Sequence, residues 1–315
     1  MRRSTAFCFA LAIALAGCSS GSGTASPPSS GAPTSTTGTS ATPAGATTTL
    51  APGQRYLYWA NEGYRPTDAT LANSIGVAAI DGSGIVSEFI GGLETPCGIA
   101  VDSTHLYWAN EKGTSLGRAS LDGSAVDRQF TPQSTGGSPC IGAVDDHYLY
   151  WATGSPTGAS VQRINLDATG SRTDLVSDAG NVISVAVDKS YIYWGTDGST
   201  IGRAKLDGSG VDDNFITGAN IVTGLFVDAR HIYWTNQQGP TVGRANLDGS
   251  AVDQSFIAKA GDLPCGVTHD ATHIYWGVGG GSDHGSIGRA NLDGSGADPS
   301  FITGAFGPCG VAIGG

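Results

Sequence analysis

Large apolar side chains occupy consecutive positions in six short stretches, each built on a Tyr-Trp pair: Tyr58-Trp59, Tyr107-Trp108, Tyr150-Trp151, Tyr193-Trp194, Tyr233-Trp234 and Tyr275-Trp276. These are all six tryptophans of the chain, and successive ones lie 40 to 49 residues apart. A strand with one wet face alternates apolar and polar residues. Consecutive bulk, as in Ile232-Tyr233-Trp234, predicts a strand covered on both faces. One such strand per unit of about 40–45 residues predicts a propeller, with each blade sandwiched between two neighbours.

Three further pieces complete the unit. The first alternates toward a closing aspartate, as in Gly98–Asp102, Ser184–Asp188 and Gly224–Asp228. The third reads IGRAKLDGS at Ile201–Ser209 and VGRANLDGS at Val242–Ser250. The fourth ends near Phe89, Phe130, Phe215, Phe256 or Phe301, with Leu175 in the remaining copy. Asp-Gly at Asp81, Asp122, Asp207, Asp248 and Asp293 marks a hairpin turn, because glycine takes positive φ without penalty. The first unit opens directly on its aromatic strand at Tyr56, and the last residues, Cys309–Ile313, form an isolated first strand. The expected fold is therefore all-β: a six-bladed propeller of four-stranded blades over residues 54–315, its ring closed by the C-terminal strand. Closure removes exposed sheet edges.

The V-D, Y-W and I-x-R-A-x-L-D-G elements at this spacing resemble the YWTD repeat of the LDL-receptor class, a six-bladed β-propeller, over roughly residues 54–315. The resemblance implies ligand binding without naming a ligand. The last letter of the motif departs: its aspartate is replaced by Asn61, Asn110, Thr153, Thr196, Asn236 and Val278. Any hydrogen bond that aspartate makes between blades must be remade by amides or hydroxyls, or lost.

The N-terminus changes the picture from fold to location. Arg2-Arg3 precedes an apolar run, Phe7 to Leu15, too short to span a bilayer. Leu15-Ala16-Gly17-Cys18 then resembles a bacterial lipobox. The resemblance implies a signal peptide over residues 1–17, cleavage before Cys18, and a lipidated, palmitate-type anchor on that cysteine. An ordinary secretory signal cut at a small residue is the other reading. Residues 18–53 are rich in Ser, Thr, Pro, Gly and Ala and carry no charge before Gln54; they read as a disordered tether. The expected location is the cell envelope, outer membrane or cell surface, on its periplasmic or extracellular face. With 27 acidic and 16 basic residues the net charge is −11, which disfavours nucleic acid.

An exported chain with four further cysteines suggests disulfides. Cys97, Cys140, Cys265 and Cys309 each precede a first strand, in blades two, three, six and one, which are consecutive around a closed ring. Bridged Cα atoms must lie within roughly 7 Å. In a six-fold ring only neighbouring blades near a narrow mouth meet that limit, so two bonds require the pairs Cys97–Cys140 and Cys265–Cys309. Free buried thiols and a metal–thiolate site are the alternatives.

Other candidate groups recur with the repeat and so read as structural. His105, His231 and His273 share one position with Tyr148 and Tyr191. Arg118, Arg163, Arg203, Arg244 and Arg289 are expected to pair with repeat aspartates such as Asp102, Asp145, Asp188, Asp228 and Asp270. The Asp-Gly-Ser segments lack the alternating ligands of calcium loops. Departures from the repeat are the candidates for function. The longest insertion, Glu62–Asn73, carries Glu62, Tyr64, Arg65 and Asp68; the second, Val278–Ser286, carries Asp283 and His284. Both leave the aromatic strand, in blades that adjoin after closure. The expectation is a non-catalytic binding module for a protein or glycan, monomeric, with no cofactor, no metal and no catalytic residue assigned. The alternative is a propeller enzyme, lactonase- or lyase-like, with its site in the channel; His269 is the one first-strand residue suited to that.

Overall fold

The computed structural model describes residues 50–51, 53–62, 73–112, 114–131, 138–154, 159–279 and 285–315, without the side chains of residues 138 and 141. They form a six-bladed β-propeller of antiparallel sheets, with no helix among the described residues. Blade five shows the plan: Val222–Val227 lies innermost, followed outward by His231–Asn236, Thr241–Asn246 and Asp253–Ile257. In blade two the outermost position is reduced to a bridge between Arg118 and Asp127. There the Thr131 hydroxyl accepts the Leu116 N–H at 3.2 Å, a side chain standing in for a ladder carbonyl.

The hydrophobic core consists of six clusters, each drawn from two consecutive blades. Tyrosine and tryptophan of one strand point to opposite neighbours, because successive strand side chains alternate in direction. Tyr193 and Trp234 therefore share the cluster between blades four and five, while Tyr233 and Trp276 share the next. This is the physical content of the consecutive bulk. Deleting one such buried ring costs about 3–5 kcal/mol.

In five blades the indole packs on the facing glycine of the third strand. A Cβ on Gly76, Gly117, Gly202, Gly243 or Gly288 would come within 2.4 Å of the ring. Blade three breaks the rule with Gln162 opposite Trp151. The Asp-Gly turns have a second role beyond their positive φ. Gly82, Gly123 and Gly249 receive the phenyl ring of the preceding blade's fourth strand, and a Cβ there would lie 2.9, 2.6 and 2.9 Å from Phe301, Phe89 and Phe215. Ring closure uses the same contacts, since Phe301 belongs to blade six and Gly82 to blade one. Along the seam Pro308–Gly314 pairs with Tyr56–Asn61, from Tyr56 opposite Gly314 to Asn61 opposite Pro308. The Ser87 hydroxyl adds a bond to the Gly304 carbonyl at 2.8 Å.

Candidate functional site

The six innermost strands line a central channel, and each slips register against its aromatic neighbour at one residue: Gly98, Gly142, Ile183, Thr223, Gly266 and Gly310. These bulges let backbones press together near one mouth. A Cβ on Gly266 would lie 2.7 Å from the Gly310 Cα, and one on Gly310 would lie 2.7 Å from the Gly98 Cα. Two disulfides sit beside them, Cys97–Cys140 and Cys265–Cys309, each with a Cα separation of 4.9 Å. The mouth is thus narrow enough for neighbouring blades to be bridged.

The channel encloses about 280 Å³. Its walls are mostly aliphatic and backbone, with Ala100, Val185, Leu225, Val267 and Val311 among them, joined by Phe226 and the disulfide residues Cys140 and Cys309; Ser184, Thr223 and Thr268 are its hydroxyls, and no ionisable side chain lines it among the described residues. His269 is not in the channel. Its Nε2 lies 2.8 Å from Asp228 Oδ2, its Nδ1 lies 2.8 Å from the Asp270 carbonyl, and its ring packs edge-on against Phe226 and Tyr233. It ties blade six to blade five.

The repeat aspartates are turn anchors. Asp102 Oδ1 accepts the Thr104 and His105 N–H groups at 2.7 Å, and Oδ2 accepts the Tyr107 hydroxyl at 2.8 Å. Burial opposes the charge on Asp102, Asp228 and Asp270, but these donors outweigh it and hold the carboxyls below their usual range. For Tyr107, burial first and the Asp102 carboxylate second push the phenol well above its usual range. The strand-three arginines do not form the expected ion pairs, because the amides and phenols already satisfy the aspartates. They stack instead on fourth-strand rings, with guanidinium carbons 4.0 Å from Phe130 and 3.8 Å from Phe215, Phe256 and Phe301. Arg163 lies over Tyr148 and donates to the Leu206 carbonyl of the next blade.

The residues that replace the motif's last aspartate differ from blade to blade. Asn61 Oδ1 accepts the Trp59 indole N–H at 3.0 Å and the Phe306 N–H at 3.0 Å, while its Nδ2 donates to the Ser87 carbonyl. Asn110 and Asn236 make the same bonds, outward to the fourth-piece carbonyls of Arg128 and Gln254. In blade three the bonds are lost: Thr153 Oγ1 and Trp151 Nε1 are buried without partners; in blade four Thr196 bonds Thr200, and Trp194 Nε1 is likewise left without a partner.

The feet of both insertions meet at one place. The Glu62 N–H donates to the Gly307 carbonyl at 3.3 Å, and a Cβ on Gly285 would strike Pro308. Tyr64, Arg65, Asp68, Asp283 and His284 lie outside the described residues, as does Cys18. Glu62 itself is described, and Oε1 of its carboxyl is enclosed without a hydrogen-bond partner. Burial, and then the nearby Glu111 carboxylate, push the Glu62 carboxyl well above the usual range. The pairing of Glu62 with Glu111 and the role of the bulge glycines were not read from the sequence. Aligning the repeats would have flagged the first, since glutamate follows the motif-final asparagine in blades one and two alone.

No family model matches the chain, and no curated protein matches it. Solved structures do. A chain in the crystal structure of a nidogen/laminin complex superposes with a TM-score of 0.66 at 17% identity, over 82% of this chain and 98% of that one. A functionally unknown protein from Desulfotomaculum acetoxidans DSM 771 follows with a TM-score of 0.50 at 14% identity, over 76% of this chain and 77% of that one. At these identities the likeness concerns the fold, and the fold is the YWTD-type six-bladed propeller that the repeat implied.

Proposed function

We propose that this chain is an exported, envelope-anchored propeller that binds a protein or glycan partner and performs no catalysis. Residues 1–17 serve as its signal peptide, the lipidated Cys18 as its anchor, residues 18–53 as its tether and residues 54–315 as its binding body, one per molecule. The observation that carries this reading is the assignment of polar groups. Around the ring the aspartates, tyrosines and arginines are engaged in turn, phenol and stacking contacts that repeat from blade to blade, while the channel walls are mostly aliphatic. Disulfide-paired cysteines fit an oxidising compartment. A propeller of this fold in a structure described as a complex of nidogen with laminin makes a protein partner the leading choice.

Binding belongs on the face where the insertions after Asn61 and Val278 leave adjoining blades. The test is saturable binding of the full chain to isolated envelope and matrix fractions of the host, before and after protease or periodate treatment. A second form has residues 63–72 and 280–284 replaced by short Gly-Ser turns. Loss of binding in that form, with an unchanged thermal midpoint, supports the reading; undiminished binding refutes the site. Metabolic labelling with an alkynyl fatty acid, lost on Cys18→Ala, tests the anchor.

A further inference from the structure

Glu62 and Glu111 follow the motif-final asparagines of neighbouring blades, where the other four blades carry Gly154, Asp197, Gln237 and Gly279. The pairing of Asn61 with Ser74 sets Glu62 across the hairpin from Asn73. The Asn73 carbonyl accepts the Leu93 N–H at 2.9 Å, and the Thr95 carbonyl accepts the Glu111 N–H at 3.1 Å. The short segment from Leu93 to Thr95 therefore links Asn73, beside Glu62, to Glu111 at the junction of blades one and two, two residues before the Cys97 disulfide. The Glu111 carboxylate, after burial, helps to raise the Glu62 carboxyl, a second sign that the two share this junction.

Three oxygens at this junction, Glu62 Oε1, Asn73 Oδ1 and Thr95 Oγ1, are buried without a hydrogen-bond partner. Native proteins rarely leave such groups unsatisfied. Blade four provides the contrast. There Asn181 stands where Thr95 does, and its Nδ2 donates to Asp197 Oδ2 at 2.9 Å, so the equivalent carboxylate is satisfied within the protein. At the blade one–two junction the missing partners are all partners of oxygen, the Glu111 carboxylate acts on the Glu62 carboxyl, and no basic side chain comes within ion-pair distance of Glu62 among the described residues.

We propose that this junction is a binding site for one divalent cation of the calcium class, with Glu62, Glu111, Asn73 Oδ1 and Thr95 Oγ1 as its protein ligands. An oxygen-only set of mixed carboxylate, amide and hydroxyl donors suits calcium, which accepts six to eight oxygens in flexible geometry and completes its shell with water. Magnesium demands a tighter octahedron and keeps more of its water. The repulsion between Glu62 and Glu111 becomes attraction to a shared ion, which then fastens blade one to blade two. The site goes beyond the binding reading and does not depend on any partner of the loops.

The experiment uses the full chain, treated with chelator and titrated with calcium chloride. Equilibrium dialysis reads stoichiometry and intrinsic tryptophan fluorescence reads the thermal midpoint. One calcium per chain, with a dissociation constant of about 0.1–1 mM and a rise in midpoint, is expected. Glu62→Gln and Glu111→Gln each weaken binding by about tenfold or more, since ligand charge sets affinity, whereas Asp197→Asn in blade four leaves it unchanged. Absence of stoichiometric uptake at millimolar calcium overturns the site and means that water alone satisfies these oxygens. Uptake that survives both glutamate substitutions, or that magnesium matches at equal concentration, overturns it as well. If Glu62→Gln does not fold, the stoichiometry of the native chain and the Glu111→Gln titration decide.

Discussion

Substituting alanine for Gly243 tests the central packing argument. An ideal Cβ at this position lies 2.2 Å from Trp234 Cε2. Resting carbon atoms sit about 3.5–4.0 Å apart, so ring or strand must give way by more than about 1 Å. The strand is held on both sides, by His231–Asn236 and Asp253–Ile257. The indole must move instead, and it is fully buried, with Nε1 donating to Gln254 Oε1 at 3.0 Å. Displacing the ring draws Nε1 away from that acceptor and leaves a buried N–H without a partner. Overpacking costs about 1–3 kcal/mol, and an orphaned buried donor costs about as much again. The expected loss is about 2–6 kcal/mol. Urea denaturation followed by tryptophan fluorescence measures it, with near-ultraviolet circular dichroism reporting the displaced ring. Gly91→Ala is the control, because a Cβ there meets nothing within 4 Å and the backbone is not left-handed. It should change stability by no more than about 0.5 kcal/mol. If Gly243→Ala is as mild as Gly91→Ala, the glycine does not exist to seat the indole.

Two other outcomes follow from the same contacts. The disulfides close loops of 43 and 44 residues; the chain-entropy estimate for loops of that length is about 4 kcal/mol each. Replacing both members of either pair by alanine should lower the unfolding free energy by about 2–4 kcal/mol, and a loss below about 1 kcal/mol would count against that bond. Asp102, Asp228 and Asp270 have carboxyls held below their usual range by their hydrogen-bond donors, against the opposing effect of burial. Their stabilisation is therefore complete above the unfolded value near 4 and disappears as pH falls through the lowered folded values. Denaturation midpoints should stay level down to about pH 4 and drop below it, with a shallower drop in Asp228→Asn; an identical acid profile in that variant would show that the Asp228 carboxylate adds nothing to acid stability.

The repeat was legible because its reasons are local. Tyr-Trp pairs register strands covered on both faces, Asp-Gly registers hairpins, and the interval between copies counts blades. The displaced first strand, Cys309–Ile313, announced ring closure. The role of the arginines was not legible, since an arginine faces either a carboxylate or a ring with equal ease on paper. The choice fell to the rings once the backbone amides of turns such as Thr104-His105 and the Tyr107 hydroxyl had filled the Asp102 oxygens. His269 likewise read as a channel group because its position along the strand was known and its direction was not.

By itself, then, the sequence determined the blade count, the strand order, the closing strand and the register of the cysteines, all of which follow from periodicity along one dimension. Tertiary structure decided what depends on neighbours far apart in the chain. Phe301 packs on Gly82, His269 meets Asp228, and Glu62 senses Glu111. These contacts cross from blade to blade, so they exist only once neighbouring blades have packed together, and the first of them only once the ring has closed. Until then a repeat predicts what each blade is, and cannot say which of its exceptional residues will face one another.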